Sequence, residues 1–487
     1  MRILIVHYND DNFGDVLLCD CFEQILKVVL ENLNISYNDY DIKVMGLKHS
    51  DMKLVAESDM ICFAGGGLFG LSYLDFYEPL KDIIETAENN NIPVIFSSMG
   101  VNNMDATENN EDCLTELLKS SCIKAISVRE NPELFKKYAG ESELNIRQVC
   151  DPAVWTKYVY FNAIKDILEK KKNLDKKVIG LNVTRGGLFV DNGREWHLTN
   201  EVNYLYELKN IIEEVGYECK FYTNGSTLDN NVLFFLKNKF NIPEEQIVYI
   251  DSTKELVETI AGFDAVAAIR MHSSIISYSM DIPVVNLVWN DKIPLFYEAI
   301  NRPNGAIYLE DWTAENVYKA LADLEKSGQY YGDTNYYMTL YSYLYDTLEQ
   351  LLNPEEKLPQ YTFEEVKAKL QLIHMPRENE IFDMKTKLFC GERRYYGQFM
   401  KLRRRDKEIK NLKNDLEQQK DKYTEQEKKL KSMKQSLKVS EKEIAKLQER
   451  LDRIDRMPVV RIYRKNKRVW KCVVGIFKNN EKQTVEE

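Results

Sequence analysis

Residues 3–15 read Ile-Leu-Ile-Val-His-Tyr-Asn-Asp-Asp-Asn-Phe-Gly-Asp, and residues 16–30 continue as Val-Leu-Leu-Cys-Asp-Cys-Phe-Glu-Gln-Ile-Leu-Lys-Val-Val-Leu. A short β-branched run, a turn of Asn and Asp, and a longer segment at helical spacing make the strand–loop–helix unit of a parallel sheet. A strand covered by helices on both faces is apolar throughout, whereas the helix that follows is apolar on one side. The same rhythm recurs to about residue 328. It predicts strands at 3–7, 42–46, 60–64, 94–98, 125–128 and 146–149, and a second series at 178–183, 219–223, 247–250, 265–269, 284–288 and 306–309. The lysine-rich stretch 169–177 between the two series is polar enough to be a surface connection. The fold class is therefore α/β, with two Rossmann-like domains at residues 1–172 and 173–328.

Beyond residue 328 the strand signal stops. Residues 329–398 carry Tyr337, Leu340, Tyr341, Leu344, Tyr345 and Leu348 at helical spacing, the apolar face of a helix packed back onto the α/β body. A tyrosine stripe can also stack bases or sugars, and core packing is the simpler reading. In residues 399–456, steps of seven from Leu402 give Ile409, Leu416, Tyr423, Leu430, Leu437, Ile444 and Leu451, with a weaker second set at Leu412, Met433, Leu447 and Ile454. That pattern predicts a coiled coil and, because a solitary helix of this kind is unstable, self-association as a homodimer. Residues 457–487 form a basic amphipathic tail. Val459, Ile462, Tyr463, Val469, Trp470, Val473, Val474 and Phe477 gather on one side of a helix, with arginines and lysines mostly elsewhere, as suits an anionic membrane surface. Packing on its own domain and a nucleic-acid contact are the competing readings.

Composition bounds the function. The 487 residues are 44% hydrophobic and 29% charged, which excludes a collagenous or fully disordered chain. The formal net charge is −11, yet from Phe399 onward basic residues outnumber acidic ones by 27 to 15. An acidic body with a basic tail is not the charge distribution of a nucleic-acid clamp, so no nucleic-acid partner is expected. Nine cysteines without a CxxC pair, an N-terminus with no secretory signal and no run of 18 apolar residues indicate a cytoplasmic protein, peripheral to the inner membrane face if the tail binds lipid. Cys19 and Cys21 read as core fillers. His7, His49, His197, His272 and His374 show no zinc-binding spacing, so no metal is expected. The phosphate-binding glycine motifs of ATPases and dinucleotide enzymes are missing as well.

Ligands of α/β sheets bind beyond the carboxyl ends of the strands, so the polar residues there are the candidates. In the first half these are Asn12, Gly14 and Asp15, then Gly65-Gly66-Gly67, then Asn102 and Arg129. The glycine triplet either offers bare amides to an anion or hydroxyl, or permits close packing. Asp15 is either an acid–base group or a helix N-cap. The second half supplies Arg185, Asn224, Arg270, His272, Ser273 and Lys292. An imidazole between an arginine and a serine at a strand end, with further cations near, describes an anion pocket.

Seven segments in order, Asn12-Phe13-Gly14-Asp15, Gly65-Gly66-Gly67-Leu68-Phe69, Ser98-Met99-Gly100-Val101-Asn102, Ser127-Val128-Arg129-Glu130, Asp151-Pro152-Ala153, Arg270-Met271-His272-Ser273 and Trp289-Asn290-Asp291-Lys292, resemble polysaccharide pyruvyl transferases over residues 1 to about 325. Met271 stands where that family usually has Leu. The resemblance implies a GT-B-like arrangement, with phosphoenolpyruvate as co-substrate in place of a cofactor and a glycan or lipid-linked saccharide as acceptor. On that basis His272 is the general acid toward the donor methylene or the departing phosphate, and Asp15 orients or deprotonates the acceptor hydroxyl. Arg270, Lys292, Arg185, Ser273 and Asn224 would hold the donor, and Asn12, Gly14, Gly65, Gly66, Gly67, Asn102 and Arg129 the acceptor. The alternatives are a GT-B glycosyltransferase using a nucleotide sugar, in which the same cations hold a diphosphate, and a coiled-coil scaffold with an inactive pocket.

Overall fold

Among the described residues twelve strands form where the apolar runs lie, and they divide into two parallel sheets of six. The first contains β1 (Arg2–His7), β2 (Asp41–Gly46), β3 (Met60–Ala64), β4 (Val94–Met99), β5 (Ile123–Val128) and β6 (Ile146–Gln148), in spatial order β2-β1-β3-β4-β5-β6. The second contains β7 (Val178–Asn182), β8 (Glu218–Tyr222), β9 (Ile247–Val248), β10 (Ala265–Ala268), β11 (Val284–Val288) and β12 (Ala306–Tyr308), in order β12-β11-β10-β7-β8-β9. Each sheet has one point where the strand order reverses, β1/β3 in the first and β7/β10 in the second. The loops leaving these strands are where such sheets form crevices. The computed structural model describes residues 1–7, 12–47, 50–69, 73–101, 114–139, 146–172, 176–250, 252–328, 330–354, 357–373 and 379–455.

The core explains why the two sheets form one body, residues 1–377. One buried cluster lies between the sheets, built from Ile3 and Ile5 of β1, the inner face of helix Phe13–Asn32, Trp155, Tyr222, Ile260 and Tyr278. Two others cover the outer faces, one around Phe63 and Phe96, the other around Phe221 and Trp312. Helix Phe161–Lys171, assigned by sequence to the first domain, packs on helix Thr253–Ala261 of the second. Cys19 and Cys21 are buried in the shared cluster, as core fillers.

The tyrosine stripe belongs to this core. Helix Thr334–Leu352 buries Tyr337, Leu340, Tyr341, Leu344, Tyr345 and Leu348. The Tyr343 hydroxyl donates to the Phe96 carbonyl at 2.9 Å, and Trp155 Nε1 donates to the Tyr337 carbonyl at 3.2 Å. Burying a tyrosine or tryptophan requires a partner for its O–H or N–H, and these backbone acceptors supply it.

Among the described residues the second unit, 378–487, contains one helix, Asn379–Asp455. It starts 20 residues before the predicted coil and runs unbroken through the 398/399 boundary. Its heptad residues from Ile409 to Leu447 are exposed in the single chain. The basic tail, 457–487, lies outside the described residues. Among the described residues no helix is long and apolar enough to cross a membrane.

Candidate active site

The site begins at the start of helix Phe13–Asn32, directly after β1. Asn12 is the N-cap, its side-chain oxygen accepting from the Gly14 amide at 2.9 Å. Asp15 is thus not the cap; it stands in the first turn, where the positive end of the helix favours a carboxylate. The Phe13 amide donates to the Asn224 carbonyl at 3.0 Å, tying this helix start to the loop after β8.

That tie brings in His272. It lies in the first turn of helix Met271–Ser279, which follows β10 at the second sheet's reversal point. The ring is 7% exposed, with Nδ1 3.6 Å from Asp15 and Nε2 3.9 Å from Asp151. The buried Nε2 has no hydrogen-bond partner among the described residues. Burial pushes the imidazole below its usual range; Asp15 and Asp151 oppose that, and Arg129 and Lys292 add to it. The environment of the ring is therefore ionic.

Arg129, at the end of β5, anchors the acids. Its guanidinium donates to Glu130 from Nε at 3.0 Å and to Asp151 from Nη1, with all three side chains buried. Asp151 also caps the short helix Pro152–Trp155, accepting from the Ala153 amide at 2.9 Å. Glu130 accepts from the Val101 amide at 3.0 Å. Burial raises the Glu130 carboxyl, with Arg129 and Lys292 pulling it back. Lys292, first residue of helix Lys292–Ala299, comes from the second sheet, and its ammonium is pushed down to about 8 by burial, with Glu130 opposing.

The remaining donor-side residues are engaged elsewhere. Arg270 forks onto the fully buried Asp229, from Nε at 3.0 Å and Nη2 at 2.6 Å. Arg185 pairs with Asp191 at 2.6 Å. Ser273 Oγ donates to Asn224 Oδ1 at 2.7 Å, while Asn224 Nδ2 is buried without a partner among the described residues. In the ligand-free protein Arg270 and Arg185 are thus held in ion pairs with acids of the second half. The cations acting on His272 are Arg129 of the first sheet and Lys292 of the second, and the pocket carries acids as well. Arg270 is drawn away because a buried Asp229 without a counter-charge would be costly.

The glycine triplet serves close approach. Gly65 has φ +65° and packs on Leu18, and a Cβ on Gly67 would come within 2.8 Å of Lys292 Nζ. No helix begins at the triplet, since Phe69 bridges to Val101 and helix Tyr73–Asn89 starts later. Asn102 lies outside the described residues.

The model of the family described as polysaccharide pyruvyl transferase matches residues 12–291, more than half of the chain. The chain belongs to the polysaccharide pyruvyl transferase family. In this pyruvyl transferase family member the match runs from the Asn12 cap to Asp291, spanning the second sheet's reversal point and His272. No curated protein matches. Among solved structures, UDP-GlcNAc 2-epimerase from Methanocaldococcus jannaschii is 12% identical, with 72% of this chain and 100% of that one covered and a TM-score of 0.46. UDP-GlcNAc 2-epimerase from Neisseria meningitidis is 11% identical, with 73% and 99% covered and a TM-score of 0.44.

Four acids of this pyruvyl transferase family member had no assigned role in the sequence reading. Asp151 and Glu130 were legible only as letters beside Pro152 and Arg129. Asp229 and Glu201 carried no local signal. Glu201 is buried in helix Leu198–Glu214, accepts from the Thr184 amide at 3.2 Å and is pushed up to about 8 by burial.

Gly14 offers a direct test of the packing. A methyl there would come within 2.6 Å of His272 Cβ and 2.7 Å of Nδ1. Helix propensity alone favours alanine over glycine by about 1 kcal/mol, but the ring has to move. Gly14→Ala is expected to leave a folded chain and to lower turnover by about 100-fold, the usual penalty for an ångström of misplacement. Unchanged turnover in steady-state assays would show that the imidazole's position against this helix does not matter.

Proposed function

We propose that this chain moves the enolpyruvyl group of phosphoenolpyruvate onto a sugar of a cell-surface glycan or its precursor, as a pyruvate ketal. The observation that supports this most directly is His272, buried at the junction of the two sheets between Asp15 and Asp151, with an unpartnered Nε2 and Lys292 and Arg129 acting on it. Family membership gives the reaction class. In this reading the methylene carbon of the donor takes a proton and C2 becomes oxocarbenium-like. One sugar hydroxyl adds to C2 and loses its proton, for which Asp15 is the acceptor. A second hydroxyl then attacks C2 as the C2–O bond to phosphate breaks, its proton passing to the departing phosphate, which closes the ketal ring and releases inorganic phosphate.

Charge coupling gives His272 its proton at the right moment. In the free protein, burial disfavours imidazolium. A bound trianion favours it, so donor binding and protonation rise together. The deciding experiment is phosphate release from phosphoenolpyruvate with a panel of lipid-linked and free glycans. Thermal shift provides the contrast: phosphoenolpyruvate is expected to raise Tm and nucleotide sugars are not. Stabilisation by a nucleotide sugar alone would discard the reading.

Lys292 makes donor affinity depend on pH. With its ammonium at about 8 in the free protein, the charge is lost as pH rises through that value. Binding that needs the charge should weaken above pH 8, by about tenfold per pH unit for one linked proton. Over the same interval the unfolded chain still holds the proton, so stability rises with pH while affinity falls. Calorimetric Kd values between pH 7 and 9.5 check this. Lys292→Arg, which stays charged, should flatten the profile, and a slope unchanged in that variant would assign the titration to another group.

A further inference from the structure

The long helix of the second unit presents one side that no described residue covers. Ile409, Leu416, Tyr423, Leu430, Leu437 and Ile444 recur every seven residues and are each 46–66% exposed. Leu412, Met433 and Leu447, three residues after members of this series, are exposed as well. An apolar seam of this length on a single helix in water is unstable by itself, so it requires a partner with a matching seam. We propose that the occupant is a second copy of this chain, in a parallel, in-register, two-stranded coiled coil over residues 409–447. The inference is independent of the transferase reading.

The polar residues of the seam select the orientation. With Ile409 at heptad position a, the a layers hold Ile409, Leu416, Tyr423, Leu430, Leu437 and Ile444, without a polar gap. The d layers hold Leu412, Gln419, Gln426, Met433, Ser440 and Leu447. A parallel in-register pair sets each layer against its own copy. The apolar a layers then meet each other, while Gln419, Gln426 and Ser440 meet identical side chains with which they can exchange hydrogen bonds. An antiparallel pair mixes a with d, so that each of these polar groups faces an apolar residue on both helices and goes unpaired. Two strands suit the amides best, since a third strand would enclose the d layers further from water.

Charge at the seam's edges agrees. In a parallel pair, position g of one helix meets position e of the next heptad on the other. Asp415 then meets Lys420 of the second copy, and Lys422 meets Glu427. Ser436 opposite Glu441 and Glu443 opposite Gln448 are neutral. The one like pair, Lys429 with Lys434, is softened because Lys429 already pairs with Glu425 of its own helix at 2.8 Å.

The full chain tests this. Sedimentation equilibrium from 1 to 50 µM should return twice the 57.1 kDa of one chain, and Leu430→Asp combined with Leu437→Asp should return a single chain mass. Ser440→Cys, made with Cys390→Ser and Cys472→Ser, should cross-link nearly completely to a dimer under mild oxidation, because an in-register parallel pair sets residue 440 against itself. A monomeric parent chain, a trimer, or a double mass that survives the aspartates overturns the proposal. So does a dimer that fails to cross-link through Ser440→Cys.

Discussion

His272→Ala is expected to lower ketal formation from phosphoenolpyruvate by about 10²–10⁴-fold, the range for removing a positioned general acid. Phosphoenolpyruvate affinity should fall far less than turnover, because in the proposed reading Lys292 and Arg129 remain to hold the anion and only the share linked to protonating the ring is lost. The physical basis is the ring's setting: it is 7% exposed, shielded from bulk water, and has carboxylates 3.6 and 3.9 Å from its two nitrogens. Bulk water cannot easily replace a proton donor in such a place. Rapid-quench measurement of phosphate release, with calorimetric Kd for the donor, separates the two effects. Equal loss of binding and turnover would make His272 a donor ligand instead of an acid, and unchanged turnover would remove it from the chemistry.

The second large effect is on stability. Arg129→Met removes a buried guanidinium that serves both Glu130 and Asp151, leaving two buried carboxylates without their cation. Breaking such a network from one side costs about 3–5 kcal/mol, and Tm should fall by several degrees. Part of the loss should return at pH 5, where Glu130, whose carboxyl burial already raises and which no longer has Arg129 to hold it down, takes up a proton and ceases to be charged. Adding Glu130→Gln and Asp151→Asn should recover part of it at pH 7 by the same logic, as a measurable coupling between neighbours. Calorimetric scans of the single and triple variants check this. An unchanged Tm for Arg129→Met would mean that the network contributes little to holding the fold.

Most of the architecture was legible in the chain because its signals are local. Each of the twelve strands lies where a β-branched or apolar run stands between turn residues, and boundaries moved by one or two positions, as at β4, which extends to Met99, and β9, which ends at Val248. The tyrosine stripe on residues 337–348 announced a buried face by spacing alone. Site residues at strand ends were legible for the same reason, since the sheet's direction fixes which loops converge.

What the sequence could not specify is which charge faces which. Arg270 sits beside His272 in the chain, yet its guanidinium serves Asp229, 41 residues away. Arg129, 143 positions before His272, acts on the imidazole together with Lys292. Ion pairing depends on distance in space and on the desolvation of both partners, and neither is encoded in a residue's neighbours along the chain. The sequence by itself determined two parallel α/β sheets, the helical additions and the loops where chemistry gathers. Only the tertiary structure decided that Asp151 and Glu130 belong to the same cluster as Asp15 and His272, because only close packing of the two sheets across one apolar core brings those four side chains together, with Asp151, Glu130 and His272 buried.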